Sequence, residues 1–139
     1  IVGNSSNGSC GGICIHENSN SIITNTIIWS NSPPSITWGG IDNNEIESII
    51  TYSNVGSGFE GNGNINTDPL FTDPNNNDYT LQADSPCIDA GTADLDGDDI
   101  DDIINYVGSA PDMGAYEYGA IFGCMDSEAD NFNVNANIF

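Results

Sequence analysis

Ile27-Ile28-Trp29-Ser30-Asn31 and Ile50-Thr51-Tyr52-Ser53-Asn54 are near copies of one another, 23 residues apart. The same offset carries Ile13 onto Ile36, Ile15 onto Trp38 and Ile23 onto Ile46. Self-similarity at a fixed period is the mark of a repeat architecture. Each unit holds short stretches, Ile13-Cys14-Ile15 and Ser35-Ile36-Thr37-Trp38, that read as half-buried strands with apolar residues on alternate positions. Gly, Asn, Ser and Pro separate them and read as turns. No 3.6-residue pattern long enough for a helix is evident.

A unit of this length with two or three short strands cannot bury a hydrophobic face alone, but stacked units can. Equivalent strands would then lie about 4.8 Å apart in long parallel sheets around a narrow core. The expected fold class is all-β: a parallel β-helix whose rungs occupy residues 1–58, with a β-sandwich as the rival that demands no fixed period. The 23-residue offset predicts an amide ladder from Asn31 to Asn54, and stacking of Trp29 on Tyr52 and of Ile15 on Trp38. The repeat fades after Gly58. An open β-helix end exposes unpaired backbone, so residues 59–119 read as a terminal rung and cap. Within that cap, Asp68-Pro69 and Asp73-Pro74 read as turns in which Asp accepts backbone N–H bonds and Pro presets φ.

Several stretches carry a family resemblance. Asn64 to Phe71, Tyr79-Thr80-Leu81, Ser85-Pro86-Cys87-Ile88-Asp89-Ala90-Gly91 and Asp112-Met113-Gly114-Ala115-Tyr116-Glu117 resemble the C-terminal part of bacterial right-handed parallel β-helix proteins. These are the pectate-lyase-like surface proteins, including the choice-of-anchor Q group. Gly11-Gly12-Ile13 and Ile23 to Asn31 resemble the rungs found before that part. The resemblance covers residues ~10–119 and implies export and surface attachment. From Gly123, the run Gly123-Cys124-Met125-Asp126-Ser127 to Ala136 resembles the start of a small Gly-Cys-Thr-Asp-type module of secreted Bacteroidetes proteins, which would make residues 120–139 a truncated module. Met125, Ser127 and Val134 depart from its usual Thr, Pro and Pro. This second resemblance implies that Cys124 pairs with a residue outside this chain.

The charge balance narrows the chemistry. The chain has no Lys or Arg against 21 Asp and Glu, a formal net charge of −21, where ordinary proteins are about a quarter charged with both signs. No guanidinium or ammonium is present to hold a phosphate or a substrate acid. Such a chain repels nucleic acid and anionic membranes. No run of ~18 apolar residues is present for membrane insertion. There is no basic leader, and Ile1-Val2-Gly3-Asn4 reads like the middle of a repeat, so a piece of a longer protein is expected. Cys10, Cys14, Cys87 and Cys124 permit three complete pairings and fit no zinc spacing. In an Asn-, Ser-, Thr- and Gly-rich acidic chain they suggest an oxidising, extracellular setting. The sequons Asn4-Ser5-Ser6 and Asn7-Gly8-Ser9 matter only where glycosylation occurs.

No catalytic constellation emerges. The pectate-lyase-like resemblance implies basic residues beside the substrate, and this chain has none. His16-Glu17 is the single His–acid neighbour pair, and on an alternating strand the two point to opposite faces. A cation is the better ligand. Asp94-Leu95-Asp96-Gly97-Asp98-Asp99-Ile100-Asp101-Asp102 sets oxygens at alternate positions around a glycine, as calcium loops do, and resembles EF-hand-like and thrombospondin type 3-like loops. Asp94, Asp96 and Asp98 are the expected ligands, followed by Asp102 and the carbonyl of Ile100. Asp99 at the sixth position and Asn105 at the twelfth depart from the usual Gly and Glu.

The expected function is structural: a segment of a secreted or cell-surface adhesin, stalk or filament, stabilised by calcium. Its partners would be other copies or segments of surface protein, or extracellular polysaccharide. The alternative is the noncatalytic, polysaccharide-binding end of a carbohydrate-active β-helix enzyme, which a row of exposed aromatics would favour. A third expectation, assembly through an uncapped end, follows from the mid-repeat start.

Overall fold

The computed structural model describes residues 1–8, 10–16, 20–33, 36–39, 49–124 and 126–138. Ser9, Glu17, Ser35, Ile46 and Met125 lie outside these residues, as do the side chains of His16 and Trp38. Two compact units are present, Ile1–Pro69 and Leu70–Phe139. No helix among the described residues is long and apolar enough to cross a membrane.

Among its described residues the first unit has six strands: β1 (Ile13–His16), β2 (Ile22–Thr24), β3 (Ile27–Ile28), β4 (Ile36–Gly39), β5 (Ile49–Thr51) and β6 (Asn54–Val55). They pair in parallel as three two-stranded sheets, β1 with β4, β2 with β5 and β3 with β6. Ile15, Ile28, Ile36, Ile50 and Val55 make the core, with Ile13, Ile23 and Phe59 packed against it. Ile28 and Val55 face each other across β3 and β6 and are fully buried. The opposite face of β2 and β5 is open, so the paired Ile22 and Ile49 stand exposed.

This arrangement corrects the expected right-handed parallel β-helix. The described strands form four separate two-stranded sheets, one of them antiparallel, and no solenoid of long parallel sheets. Nor is there one period. β1 and β4 keep the 23-residue offset, with Ile13 beside Ile36 and Ile15 beside Trp38. The later pairs are offset by 27: Ile23 lies beside Ile50, Ile27 beside Asn54 and Ile28 beside Val55. Bridges from Val2 to Trp29 and Ser5 to Ser32 follow the longer offset. Asn54 then bridges to Ile65, only 11 residues on, which is too few for another turn of the same size. The physical reason for the misreading is strand geometry. A slip of one residue exchanges the faces of a strand, whereas a slip of four restores them. Alternating isoleucines therefore fit either offset equally well.

The corners show which offset the middle of this unit obeys. Asn25 and Tyr52 both take left-handed backbone conformations, with φ of 48° and 45°. Each breaks the chain between two short strands. Thr26 Oγ1 donates to the Thr24 carbonyl at 2.8 Å, and Ser53 Oγ donates to the Thr51 carbonyl at 2.8 Å. The two corners are tied together by Thr26 N donating to Ser53 Oγ at 3.1 Å and by the Thr24 and Thr51 hydroxyls 3.0 Å apart.

The expected Asn31–Asn54 ladder is replaced by two separate arrangements. Asn31 Oδ1 accepts from Asn4 N and Asn4 Nδ2 at 2.9 and 3.0 Å, and fully buried Asn54 donates to the Thr67 carbonyl at 2.7 Å. The expected Trp29–Tyr52 stack is absent from the register as well. The Trp29 ring lies against Gly56 and the Tyr52 ring against Gly63, where a Cβ would have no room.

The second unit opens with an antiparallel hairpin, β7 (Phe71–Asp73) and β8 (Asp78–Leu81), joined by a single 3₁₀ turn, Pro74–Asn76. Asp73-Pro74 does start that turn, but the Asp73 side chain makes no cap bond to backbone and instead accepts from Asn76 Nδ2 at 2.6 Å. Phe71 meets Tyr79 edge to face at 5.4 Å. Beyond Leu81 the described chain has no further strands, only the isolated bridges Phe122–Ile138 and Cys124–Phe132. Fully buried Cys87 and Met113 lie within this part and are joined by Met113 N donating to the Cys87 carbonyl at 2.9 Å. Of the three cysteine pairings open to the sequence, one bond is present, Cys10–Cys14. Cys87 and Cys124 are outside disulfides.

Two substitutions test the first unit. Ile28→Ala is expected to cost about 2–5 kcal/mol, the usual range for emptying a buried isoleucine site. Gly61→Ala sets a Cβ against the Ile50 carbonyl and the Asn64 amide and is expected to cost about 1–3 kcal/mol by overpacking. Both are read from denaturant unfolding midpoints.

Candidate cation site

The loop Asp94–Asp102 is closed at its base by backbone. The Ala93 carbonyl accepts from Asp102 N at 2.9 Å and Ile103 N at 3.0 Å. Thr92 Oγ1 donates to the Asp94 carbonyl at 3.0 Å. Inside that closure, side-chain oxygens collect the amides. Asp94 Oδ1 accepts from Gly97 N at 2.7 Å and Asp94 Oδ2 from Asp99 N at 3.0 Å. Asp96 Oδ1 accepts from Asp98 N at 3.2 Å, Asp98 Oδ1 from Ile100 N at 2.9 Å, and Asp102 Oδ2 from Leu95 N at 2.9 Å. Two left-handed residues make the tight bends, Gly97 with φ of 83° and Asp99 with φ of 65°. Aspartate tolerates that conformation better than most side chains, which explains how the loop turns without a glycine at its sixth position.

These bends bring carboxylate oxygens of Asp94, Asp96 and Asp102 within 4.8 Å of one another. Three of the five expected ligand residues therefore converge. Asp98 is not in that group and spends its Oδ1 on Ile100 N. The Ile100 side chain is exposed. Three carboxylates at this separation repel one another, and the chain carries no Lys or Arg to offset them. A hard divalent cation is the group whose chemistry matches an all-oxygen donor set in a loop that adjusts by small backbone rotations. The Asp94 carboxyl sits below its ordinary value, chiefly because the Gly97 N–H stabilises its ionised form.

A second set of carboxylates, not anticipated from the sequence, organises residues 87–118. Asp112 is 4% exposed. Its Oδ1 accepts from Asp89 N at 2.8 Å and its Oδ2 from Tyr118 N at 2.6 Å. Glu117 Oε1 accepts from Asp112 N at 2.7 Å and Oε2 from Val107 N at 3.3 Å. Asp89 Oδ1 accepts from Ser109 N at 2.7 Å and Ala110 N at 3.3 Å. Gly108 passes so close to the Asp89 carboxylate that a Cβ could not be accommodated. The signal for this set was present only as isolated acids in Asp89-Ala90-Gly91 and Asp112 to Glu117.

Comparison with family models, curated proteins and solved structures finds no match. A functional reading therefore rests on the residues themselves.

The Asp94 shift has a definite sign. A carboxyl whose folded value is depressed stabilises the fold above its unfolded value, and that contribution is lost as pH falls through the folded value. In chelator, the ¹³C carboxyl resonance of Asp94 is expected to titrate below the ordinary aspartate value of about 3.9. The protection of the Gly97 amide is expected to fall over the same range.

Proposed function

We propose that this chain is a structural segment of a secreted or cell-surface protein and that its Asp94–Asp102 loop takes a calcium ion. The observation that carries the reading is the convergence of Asp94, Asp96 and Asp102 oxygens in a chain without Lys or Arg. Calcium bound there would supply the missing positive charge and hold a strand-poor loop in one conformation. Asp94, Asp96 and Asp102 would be carboxylate ligands. Asp98 and the Ile100 carbonyl would join by rotation of side chain and peptide, completing the oxygen-rich shell that calcium prefers over magnesium.

Further support is chemical. A Cys10–Cys14 disulfide suits an oxidising compartment. A charge of −21 keeps copies apart at low salt and permits association once divalent ions screen it. In this reading the segment carries no catalysis. It serves as a rigid spacer between other segments of surface protein, and calcium sets its stiffness.

Calcium titration by calorimetry, with thermal unfolding in calcium and in chelator, tests the proposal. Calcium is expected to bind in the range of extracellular modules, a Kd of about 10⁻⁴–10⁻³ M, and to raise the unfolding midpoint. Magnesium at equal concentration is expected to do less. Asp102→Asn removes one charged ligand and is expected to weaken binding by about tenfold or more. An unfolding midpoint unchanged by chelator removes the proposal.

A further inference from the structure

We propose that the outer edge of β2 is a docking edge for a second copy of this chain, which adds its own β2 antiparallel across a two-fold axis at Ile22 and makes one four-stranded sheet, β5–β2–β2–β5. The inference goes beyond the calcium reading and does not rest on it, since no residue of the Asp94–Asp102 loop takes part.

The ladder of β2 and β5 fixes which way the edge faces. Ile22 lies beside Ile49, and Ile49 N donates to the Ser21 carbonyl at 2.8 Å. In a parallel pair the residues on either side of Ile22 then carry the bonds to β5, and the N–H and C=O of Ile22 itself point away from it. Neither has a partner among the described residues. The far edge of β5 is closed. There the Ile50 carbonyl accepts from Asn64 Nδ2 at 2.8 Å, and Tyr52 N donates to the Asn62 carbonyl at 2.8 Å. One edge of this small sheet is covered and the other is open.

Proteins usually protect such an edge with lysine, proline, an inward charge or a bulge. Asn20 to Asn25 holds no charged residue and no proline, and the register with β5 is unbroken. The side chains add a reason for contact. Ile22 is 74% exposed, the most open of the large apolar residues described in the first unit, and Ile49 beside it is 53% exposed. Antiparallel pairing on the two-fold makes Ile22 and Ile22 of the second copy a hydrogen-bonded pair, each giving its N–H to the other's carbonyl. Direct opposites share a face, so Ile49 and Ile22 of one copy continue into Ile22 and Ile49 of the other as a single apolar strip. Two strands alone are marginal in water, whereas three or more with a shared apolar face are stable.

Charge selects the occupant. Of the 21 acids, residues 1–41 hold one, Glu17, and residues 42–139 hold the other 20. A cationic partner would be drawn to the acidic remainder of the chain, not to this neutral edge. A second copy of so acidic a chain approaches best where charge is least, and β2 offers one uncharged strand to another. The contact is one strand per copy, so the dimer is weak and is strengthened by salt that screens the rest.

Sedimentation velocity of the whole chain, in chelator and about 0.15 M NaCl, tests the proposal over about a hundredfold range of concentration. The weight-average mass is expected to rise with concentration toward that of two chains. Ile22→Lys sets two ammonium groups against each other on the two-fold and is expected to weaken the dimer by about tenfold or more. Ile104→Lys, the same change at a 79% exposed site of the second unit, is expected to leave the dimer as strong or stronger. Both substitutions lower the net negative charge equally, so association through any other surface would respond alike to both, and that result overturns the proposal. A chain that stays monomeric throughout also overturns it and leaves the edge to a strand of a different protein.

Amide exchange gives a second readout without substitution. The Ile22 amide is expected to gain protection as concentration rises, while the Ile49 amide is protected throughout. Equal exchange of Ile22 at both ends of the range contradicts the proposal.

Discussion

Capture of backbone N–H groups by side-chain oxygens is the interaction on which the rest of this structure depends. The described strands are only two to four residues long and lie in two-stranded sheets. Ladder bonds alone therefore satisfy a small share of the main chain, while a buried amide without a partner is costly. Aspartate, asparagine, serine and glutamate fill the gap. In the first unit, Asn64 Oδ1 takes Ser53 N at 3.0 Å while its Nδ2 reaches the Ile50 and Phe59 carbonyls. In the second, Asp94, Asp112, Asp89 and Glu117 each take two amides. Hydrogen bonds to charged acceptors are stronger than neutral ones, which is how a chain poor in regular structure sustains two compact units.

The same device explains the composition. A carboxylate that caps amides does not need a lysine or arginine beside it, because the aligned N–H dipoles stabilise its charge. The capping continues even where acids lie close together, since Asp94, Asp89, Asp112 and Glu117 each keep two amides. Acids come together at two places. At Asp94, Asp96 and Asp102 the oxygens converge on an exposed point, where a divalent ion from solvent can supply charge. Around Asp112 the acids are linked through the main chain, and Asp89, Asp112 and Glu117 each accept two backbone N–H groups.

How much of this was legible in the sequence varies with the range of the signal. The pairing of Ile13 with Ile36 and of Ile15 with Trp38 could be read directly, because the repeat and the register coincide there. The pairing of Ile23 with Ile50 could not. Ile23 matches Ile46 just as well in pattern, and alternation is blind to a shift of four. The step to a solenoid failed for a related reason. Repeated residues mark candidate partners, but sheet depth depends on whether full strands follow, and after β6 the next parallel pairing is a single-residue bridge at Ile65, 11 residues beyond Asn54. The acidic loop was legible because its carboxylates are neighbours in the chain. The Asp89–Asp112–Glu117 set was not, since its members are brought together by tertiary contacts and their partners are backbone amides, which have no sequence signature.

Residue-resolved amide exchange of the intact chain near neutral pH, in chelator, tests the central claim most directly. The amides of Asp89 and Tyr118, held by the Asp112 carboxylate, are compared with those of Asn54 and Ile65, held by backbone carbonyls. If side-chain oxygens carry the fold, both pairs are protected to the same order. Exchange of Asp89 and Tyr118 at the rate of an unstructured amide, with Asn54 and Ile65 still protected, would contradict the account.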